Sequence, residues 1–346
     1  MRARALCAGL ALLVSLGFSA CLRADESEQE YPAPYEPPFI IEKQAPYEQP
    51  FIIEEQAPYE PPFIIEEPAP SGGAGAKSYL ECRHYDERGF FKAVERAEPY
   101  QMEGEMLAAA SPHFLPAMSF TADILSTLAR EGPADRTVFV VAPNHSGEGL
   151  PLIVADRGWT TPFGNLELDG DAAAAIMNSP YLADKIDVDL IHLQGDHSAA
   201  TVMPFIKYYL PEARVVTIML GRDCPLEQLD ALAATIYETG RARANQVFLL
   251  ASVDFSHYLR IDETAQRDEV TDALIQAGDI QAIKNLDDGN MDSPESIIAL
   301  INYAAFFPGA QVERRGHVIL PESEIEPGIG YSYSSYIYLS KALPSG

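Results

Sequence analysis

Four histidines in polar loops are the first residues of this sequence that could carry out chemistry. Each lies in a short cluster rich in proline, glycine, serine or aspartate: SPHFLP around His113, PNHSG around His145, GDHS around His197 and VDFSHY around His257. Imidazole binds metal ions and exchanges protons near neutral pH. Two carboxylates, Asp196 and Asp254, belong to the last two clusters. These loops predict a site for metal binding or proton transfer.

None of the clusters has the spacing of a local zinc motif. The chain contains neither a helical H-x-x-x-H pair nor a C-x-x-C pair, which argues against zincins and zinc fingers. A metal would therefore be held by residues from distant loops. Two histidines with one carboxylate suit non-haem Fe(II) and leave positions open, and Zn(II) or Cu(II) are alternatives. We assign His84, His192 and His317, which lack such clusters, to packing or to the surface.

The predicted elements around these loops show how distant residues can meet. Buried strands are predicted at 137–142, 214–220 and 247–252, helices at 119–130, 225–241 and 263–277, and closing strands at 311–320 and 331–339. Strands that alternate with helices indicate a single α/β domain with a largely parallel central sheet flanked by helices. Ligands bind beyond the carboxyl ends of such strands, where the loops of His145 and His257 fall.

The N-terminal residues are organised differently from this domain, which we place at residues 79–346. Arg2 and Arg4 precede an apolar run too short for the roughly 20 residues of a membrane span, so residues 1–20 are predicted to be a secretory signal peptide. The run ends LGFSAC, which resembles a lipobox and predicts lipid attachment at Cys21. Ordinary cleavage near Ala20 or Ala24 is the alternative. Either way, we expect an exported protein.

Residues 21–76 are predicted to form a disordered, semi-rigid stalk. Residues 33–68 repeat a twelve-residue unit three times, beginning APYEPPFIIEKQ, and a glycine-rich joint follows at 71–76. Proline removes backbone donors, so such a unit cannot sustain a helix and favours extended chain. The Phe-Ile-Ile core of each unit could instead bind a protein partner by adding to a sheet edge or entering a groove.

The charge of the chain is strongly acidic and is concentrated in this stalk. The 346 residues contain 24 Lys and Arg against 51 Asp and Glu, for a formal charge of -27. Residues 24–70 alone hold twelve acidic residues against Lys43. A nucleic-acid partner is disfavoured, because phosphate neutralisation needs clustered basic side chains. The two cysteines outside the signal and the lipid site, Cys82 and Cys224, could form a disulfide or remain free thiols.

At the histidine loops the sequence resembles the Memo family, also called AmmeMemoRadiSam system protein B. The fold of that family is similar to the LigB-type class III extradiol dioxygenases. The matching stretches occur in family order between Ser111 and Tyr336 and read SPHFLPAMSF, VFVVAPNHSGEG, GWTTPFGNLELD, GDHSAATVMPFI, VFLLASVDFSHY and GYSYSSY. They cover nearly the whole domain and are specific as a set.

The resemblance implies a set of metal ligands. His113 and His145 match two family ligands, and the third, often a cysteine, aligns with Asp292. A carboxylate in place of a thiolate favours Fe(II), with copper or zinc as alternatives. Asp292 could instead cap the helix predicted at 294–303, a role for which Ser293 competes.

The resemblance also implies catalytic residues. Asp254 and His257 match the Asp and His of the family's pocket motif, and His197 matches a pocket histidine. We expect His197 or His257 to act as general acid and base, with Asp254 orienting His257 or accepting a substrate proton.

Together these features predict a lipid-anchored protein of the bacterial cell envelope with a mononuclear metal site. Its expected activity is that of a non-haem iron, dioxygenase-like oxidoreductase acting on a small molecule. One alternative is a zinc-dependent hydrolase. The other is a surface lipoprotein that binds metal or a partner without catalysis.

Overall fold

The computed structural model describes residues 79–182, 184–243, 246–321 and 328–340. The predicted signal peptide, the lipid site at Cys21, the repeats at 33–68 and the joint at 71–76 lie outside the described residues. Within that part of the chain, no helix combines the length and the apolar character that a membrane span requires.

Strands and short helices alternate along the described chain. The strands are β1 (Leu80–Glu81), β2 (Glu105–Ser111), β3 (Thr137–Pro143), β4 (Leu152–Val154), β5 (Trp159–Thr161), β6 (Gly164–Leu168), β7 (Ile186–Asp187), β8 (Arg214–Leu220), β9 (Val247–Ser252), β10 (Leu259–Arg260), β11 (Gln311–Pro321) and β12 (Ile329–Ser340). The helices are α1 (Glu87–Glu95), α2 (Ser119–Glu131), α3 (Gly170–Met177), α4 (Leu190–Gly195), α5 (His197–Ala200), α6 (Met203–Tyr209), α7 (Leu226–Ala242), α8 (Ile261–Ala277), α9 (Ile280–Lys284) and α10 (Pro294–Ala304).

The centre of the sheet is parallel and its margins are antiparallel. Strands β6, β8, β3, β9 and β2 lie side by side in that order, each parallel to the next. Strand β12 is antiparallel to β2 and pairs in turn with β10 and β11. At the other margin β5 is antiparallel to β6 and carries β1. The predicted α/β class with a largely parallel central sheet is therefore confirmed.

The register of the parallel strands brings their carboxyl ends to one edge. Ser111 of β2 pairs with Ser252 of β9, and Pro143 of β3 pairs with Leu220 of β8. The loops that follow β2, β3 and β9 therefore start at the same level of the sheet. These are the loops of His113, His145 and His257, so the register alone places them together.

Two hydrophobic cores cover the two faces of the sheet. Along β3, Phe139 and Val141 face one core while Val138 and Val140 face the other, as the two-residue period of a strand requires. Helices α3, α7 and α10 pack on the first face, and α1, α2 and α6 on the second. Burial on both faces explains why the central strands read as continuous apolar runs.

The predicted elements agree with the structure to within two residues, and one important strand was missed. Strands β8 and β9 have the predicted bounds, and α10 begins at the predicted Pro294. The missed strand is β2, whose sequence EMLAAAS is rich in alanine, a poor strand former. It is buried from Met106 to Ser111, so packing between neighbouring strands overrides local preference.

The cysteine alternatives are resolved by the same two cores. Cys82 packs at the margin of the second core, while Cys224 is buried in the first, on the opposite face of the sheet. Both are free thiols. A disulfide between them is wrong because the sheet separates them, and a bond would need Cα atoms about 4.4–6.8 Å apart.

The end of α7 is fixed to the start of α3 by a buried ion pair that gives a first testable prediction. Arg243 binds both carboxylate oxygens of Asp169, whose side chain is almost fully buried. Arg243→Ala leaves that carboxylate without its counter-charge, and we expect the free energy of unfolding in urea to fall by about 2–3 kcal/mol.

Arg241→Ala is the matched control for this prediction. Arg241 stands two residues earlier and pairs with the exposed Glu238, so its loss should cost less than about 0.5 kcal/mol. Equal losses in the two variants would contradict the proposed importance of the buried pair.

Candidate metal centre

Five side chains from separate loops converge at the carboxyl edge of the sheet, and we call them the His/Asp cluster. Its members are His113, His145, His197, Asp254 and Asp292. His113 follows β2, His145 follows β3 and Asp254 follows β9. The other two stand at helix starts, α5 and α10. Five of the six predicted site residues therefore lie together, although none is close to another in sequence.

The closest contacts of the cluster surround the imidazole of His113. Its Nε2 lies 3.2 Å from Oδ2 of Asp292 and 3.4 Å from Oδ2 of Asp254. Nε2 of His145 lies 3.7 Å from the same Asp292 oxygen. The His113 side chain is only 1% exposed and both carboxylates are buried, so solvent screens these contacts little.

Hydrogen bonds behind the cluster fix which nitrogen of His113 faces it. The Ser252 hydroxyl donates its one proton to the carbonyl oxygen of Ser198 at 2.7 Å. In its contact with His113 Nδ1, at 3.2 Å, Ser252 must therefore accept, and Nδ1 donates. The lone pair of a neutral ring then lies on Nε2, facing two carboxylate oxygens. That arrangement requires a proton or a metal cation between them.

His145 is held in the same way by a carboxylate. Its Nδ1 lies 3.0 and 3.1 Å from the two oxygens of Asp196. Asp196 also accepts from the backbone N–H groups of His145 and Ser198 and from the Ser198 hydroxyl. A carboxylate on one ring nitrogen is the usual support of a histidine whose other nitrogen binds metal. The other nitrogen, Nε2, is the one that faces Asp292.

Electrostatics within the cluster favour positive charge. Burial opposes protonation of His113, but the charges of Asp254 and Asp292 outweigh it and raise the pKa of this imidazole. Burial is likewise outweighed at His145, where Asp196 and Asp292 raise the pKa to about 10. Burial raises the pKa of Asp254, whereas at Asp292 the two imidazoles overcome burial and hold the pKa well below its usual range.

One carboxylate oxygen of Asp292 has no hydrogen-bond partner among the described residues. Oδ2 of Asp292 accepts from the backbone N–H of Asp254 at 3.2 Å, while its buried Oδ1 has no hydrogen-bond partner among the described residues. A buried carboxylate oxygen without a partner is costly, and a bound cation would satisfy it. The helix-cap alternative for Asp292 is wrong, because Ser293 caps α10 by accepting from the Ser296 N–H.

His197 is the most exposed ring of the cluster. It stacks on His145 with ring centroids 4.7 Å apart and meets the edge of His113 at 5.1 Å. Burial, together with the positive charges of His113 and His145, lowers the pKa of His197 to about 4. The ring is therefore neutral near pH 7. It can serve as a proton acceptor or, within 4.8 Å of the other two imidazoles, as a third nitrogen ligand.

His257 lies apart from the cluster. Its ring stands beside Tyr258 and edge-on to Tyr331, at 6.0 and 5.5 Å between centroids. No hydrogen bond joins it to Asp254 among the described residues. Asp254 instead accepts from the backbone N–H of His113 at 2.9 Å, and His257 affects it only by lowering its pKa through charge. No hydrogen bond of the described residues supports an orienting role of Asp254 towards His257, and that role, like acceptance of a substrate proton, stays a prediction.

Sequence reasoning missed His84 and the residues behind the rings. His84, assigned to packing or surface, is exposed, and its ring lies 5.9 Å from that of His197. It reaches the site because β1 pairs with β5, a contact between residues about 80 apart in the chain. The support of His113 by Ser252 also had no local signal, since it depends on the register of β2 and β9.

A pH titration of the histidines tests this description of the metal-free protein. In NMR spectra, His197 should remain neutral down to about pH 4, while His145 should stay protonated up to about pH 10. The folded-state pKa of His145 exceeds the unfolded value of about 6.5, so its stabilisation is full below that pH and is lost as pH rises towards 10.

Asp196→Asn is the variant that tests the cause of the His145 shift. Removing the carboxylate should lower the pKa of His145, with little effect on His192, whose ring pairs with Asp189 and Glu148. An unchanged His145 titration would contradict the assigned role of Asp196.

Comparison with known proteins gives the family. The family described as Memo-like protein matches residues 85–309. A MEMO1 family protein of Pyrobaculum arsenaticum is 36% identical over 151 residues, which cover 42% of this chain and 51% of the relative. A second, from Methanosarcina mazei, is 29% identical over 195 residues, covering 55% and 65%. The chain thus spans about half to two thirds of the length of these curated relatives.

A solved structure is also similar. An uncharacterized protein of Escherichia coli K12 aligns with 67% of this chain and 100% of its own, with a TM-score of 0.45 and 14% sequence identity. The family match covers more than half of the 346 residues and includes every member of the His/Asp cluster. The chain belongs to the Memo-like protein family.

Proposed function

We propose that the protein binds one divalent metal ion through His113, His145 and Asp292 and acts as a dioxygenase-like oxidoreductase on a small molecule. The observation that carries the proposal is the convergence of two imidazole Nε2 atoms on one carboxylate oxygen, at 3.2 and 3.7 Å. Ser252 and Asp196 hold the two rings from behind. Such support is what a ligand histidine needs.

Fe(II) is the metal that this ligand set favours. The family position that often holds a cysteine is occupied by Asp292, and a hard carboxylate oxygen replaces a soft thiolate. Two histidines and one carboxylate form the facial set of non-haem iron oxygenases, while copper would favour the thiolate. When bound, ferrous iron would hold dioxygen and substrate side by side and pass electrons from the substrate to dioxygen.

The remaining residues of the cluster would handle protons. His197 is neutral near pH 7 and half exposed, so it can accept a proton from a substrate hydroxyl. Asp254 is buried with a raised pKa and faces His113, so it holds a proton more readily than an ordinary aspartate. His257 stands at the rim, where it can contact a ligand.

Aromatic side chains at the rim support a small, flat substrate. Phe114, next to His113 in sequence, is 43% exposed and stacks on Tyr333 with centroids 5.0 Å apart. On the side of His257, Tyr258 and Tyr331 meet edge to face at 5.1 Å. Exposed rings beside a polar cluster offer an apolar surface to an aromatic or oxygen-rich molecule.

A zinc hydrolase is the second candidate. It is favoured by the three imidazoles of His113, His145 and His197, whose ligand atoms lie within 4.8 Å of one another. Three histidines and an open position suit Zn(II), which lowers the pKa of bound water. Oxygen dependence separates the two candidates, because a zinc hydrolase keeps its turnover without dioxygen.

We propose that the domain works outside the cytoplasm, exported by residues 1–20 and anchored by a lipid on Cys21. The repeats would then act as a spacer or bind a protein partner. A non-catalytic surface lipoprotein would use the same anchor, with the repeats as its binding element.

Fractionation of cells tests the anchor. Cys21→Ser should move the protein from the membrane to the soluble fraction, because the lipid has no attachment site. Cys7→Ser, within the predicted signal, is the matched control and should leave the protein in the membrane fraction. A Cys21→Ser protein that stays with the membrane would refute lipid anchoring at this residue.

Anaerobic titration with Fe(II), Zn(II) and Cu(II) tests the metal site. The wild type should bind about one equivalent, and His113→Ala should weaken binding by at least about 100-fold, since even loss of an outer partner costs 10–100-fold. His192→Ala is the control, because His192 pairs with Asp189 and Glu148 outside the cluster. Absence of stoichiometric binding, or binding unchanged in His113→Ala, would rule the proposal out.

A further inference from the structure

A buried carboxylate lies behind the loop that carries Asp254 and His257. Asp268 of α8 is 4% exposed, and its Oδ1 accepts from the hydroxyls of Ser256 and Ser332 at 2.6 and 2.7 Å. Both serines are fully buried. The proposed mechanism uses none of these three residues, and α8 contains none of the sequence stretches quoted above, although it lies within the family match.

The two serines join the loop to β12. Ser332 receives the backbone N–H of Ser256 on its hydroxyl oxygen at 2.9 Å and donates its own N–H to the Ser256 carbonyl at 2.8 Å. The Phe255 N–H donates to the Ser332 carbonyl at 3.1 Å. Because each hydroxyl has one proton, donation to Asp268 leaves the Ser332 oxygen free to accept from the loop. The Asp268 carboxylate therefore determines which groups of this network donate hydrogen bonds and which accept them.

This loop is joined in turn to the third predicted metal ligand. The Asp254 N–H donates to Asp292 Oδ2, and the Asp292 N–H donates to the Asp254 carbonyl at 3.1 Å. Phe255 and Met291 form an antiparallel bridge beside them. A displacement of residues 254–256 would thus move both carboxylates that face His113.

Strands β11 and β12 complete the surroundings of Asp268. Nε2 of His317 lies 3.5 Å from Asp268 Oδ2, and Nδ1 of the same ring pairs with the Ser334 hydroxyl at 3.0 Å. Burial raises the pKa of Asp268, and the two serine hydroxyls oppose that rise. Burying a carboxylate beside hydroxyls and a histidine costs free energy of desolvation. Apolar side chains of similar volume often stabilise a fold as well or better, so packing alone does not account for Asp268.

We propose that Asp268 is a positioning residue of the metal centre. By accepting both serine hydroxyls through Oδ1, it fixes residues 254–256 so that Asp254 and Asp292 face His113. The inference rests on the proposed metal function, and it extends the site to α8, which no described hydrogen bond or ion pair joins to a predicted ligand.

Three variants isolate this role. Asp268→Ala removes the acceptor of both hydroxyls. Asp268→Asn keeps a carbonyl oxygen for them and can direct its amide to His317 Nε2, so it should behave nearly as the wild type. Asp272→Ala is the matched control, because Asp272 lies one turn along α8 and binds Tyr336 and Arg314 without touching the loop.

Two measurements read out the position of the loop. The first is hydrogen exchange of the metal-free protein, in which Asp268→Ala should speed exchange of the Phe255 and Ser256 amides by about tenfold. The second is titration with Co(II), in which the same variant should weaken binding by about tenfold and change the visible spectrum of the bound ion. Both readouts should stay near the wild-type values in Asp268→Asn and Asp272→Ala.

Several outcomes would overturn the inference. They are wild-type exchange and Co(II) affinity in Asp268→Ala, equal effects in Asp268→Ala and Asp272→Ala, and an Asp268→Asn protein as impaired as Asp268→Ala. If Asp268→Ala does not fold, Ser332→Ala takes its place, because it removes one donor to Asp268 and the acceptor of the Ser256 N–H. A wild type that binds no Co(II) would refute the metal function, while exchange would still test the positioning of the loop.

Discussion

The imidazole of His113, enclosed between two carboxylates, is the interaction on which the rest of the site depends. Its Nδ1 is committed to Ser252, so its Nε2 must meet Asp254 and Asp292 with positive charge between them. The parallel strands bring these groups to one edge of the sheet. The hydrogen bonds of Ser252 and Asp196 then keep the rings turned inwards. Because the fold places two buried acids here, positive charge is favoured at this point, supplied by protonated imidazole or, as we propose, by a metal ion.

The sequence predicted the fold class and the positions of the ligand loops because both have local signals. Strands β8 and β9 are largely apolar runs, so their bounds could be read residue by residue, and β3 and β9 lead directly into histidine clusters. Asp292 could be proposed only through resemblance to the Memo family. Its freedom from helix capping required the structure, since Ser293 is an equally good cap in sequence.

Contacts between residues far apart in the chain could not be predicted. Strand β2 was not predicted because of its alanines, although His113 directly follows it. In the sequence, Ser252, Asp196 and Asp268 look like ordinary polar residues. Their contacts with the site can be recognised only when the register of several strands is known. His257 shows the opposite case, because it lies only three positions from Asp254 in sequence and yet its ring stands beside Tyr258 and Tyr331.

The side chains of the His/Asp cluster are exposed to different degrees, and this determines from which side a solute can reach the cluster. The rings of His145 and His197 are 36% and 49% exposed, whereas Asp254 and Asp292 are at most 9% exposed. An ion arriving from solvent therefore exchanges water for imidazole nitrogen first and reaches the carboxylates last. A chelator that removes the ion must approach from the same side. In the proposed metal site, loading and loss would therefore be controlled by the stacked histidine pair, while the buried acids would determine how firmly the ion is kept.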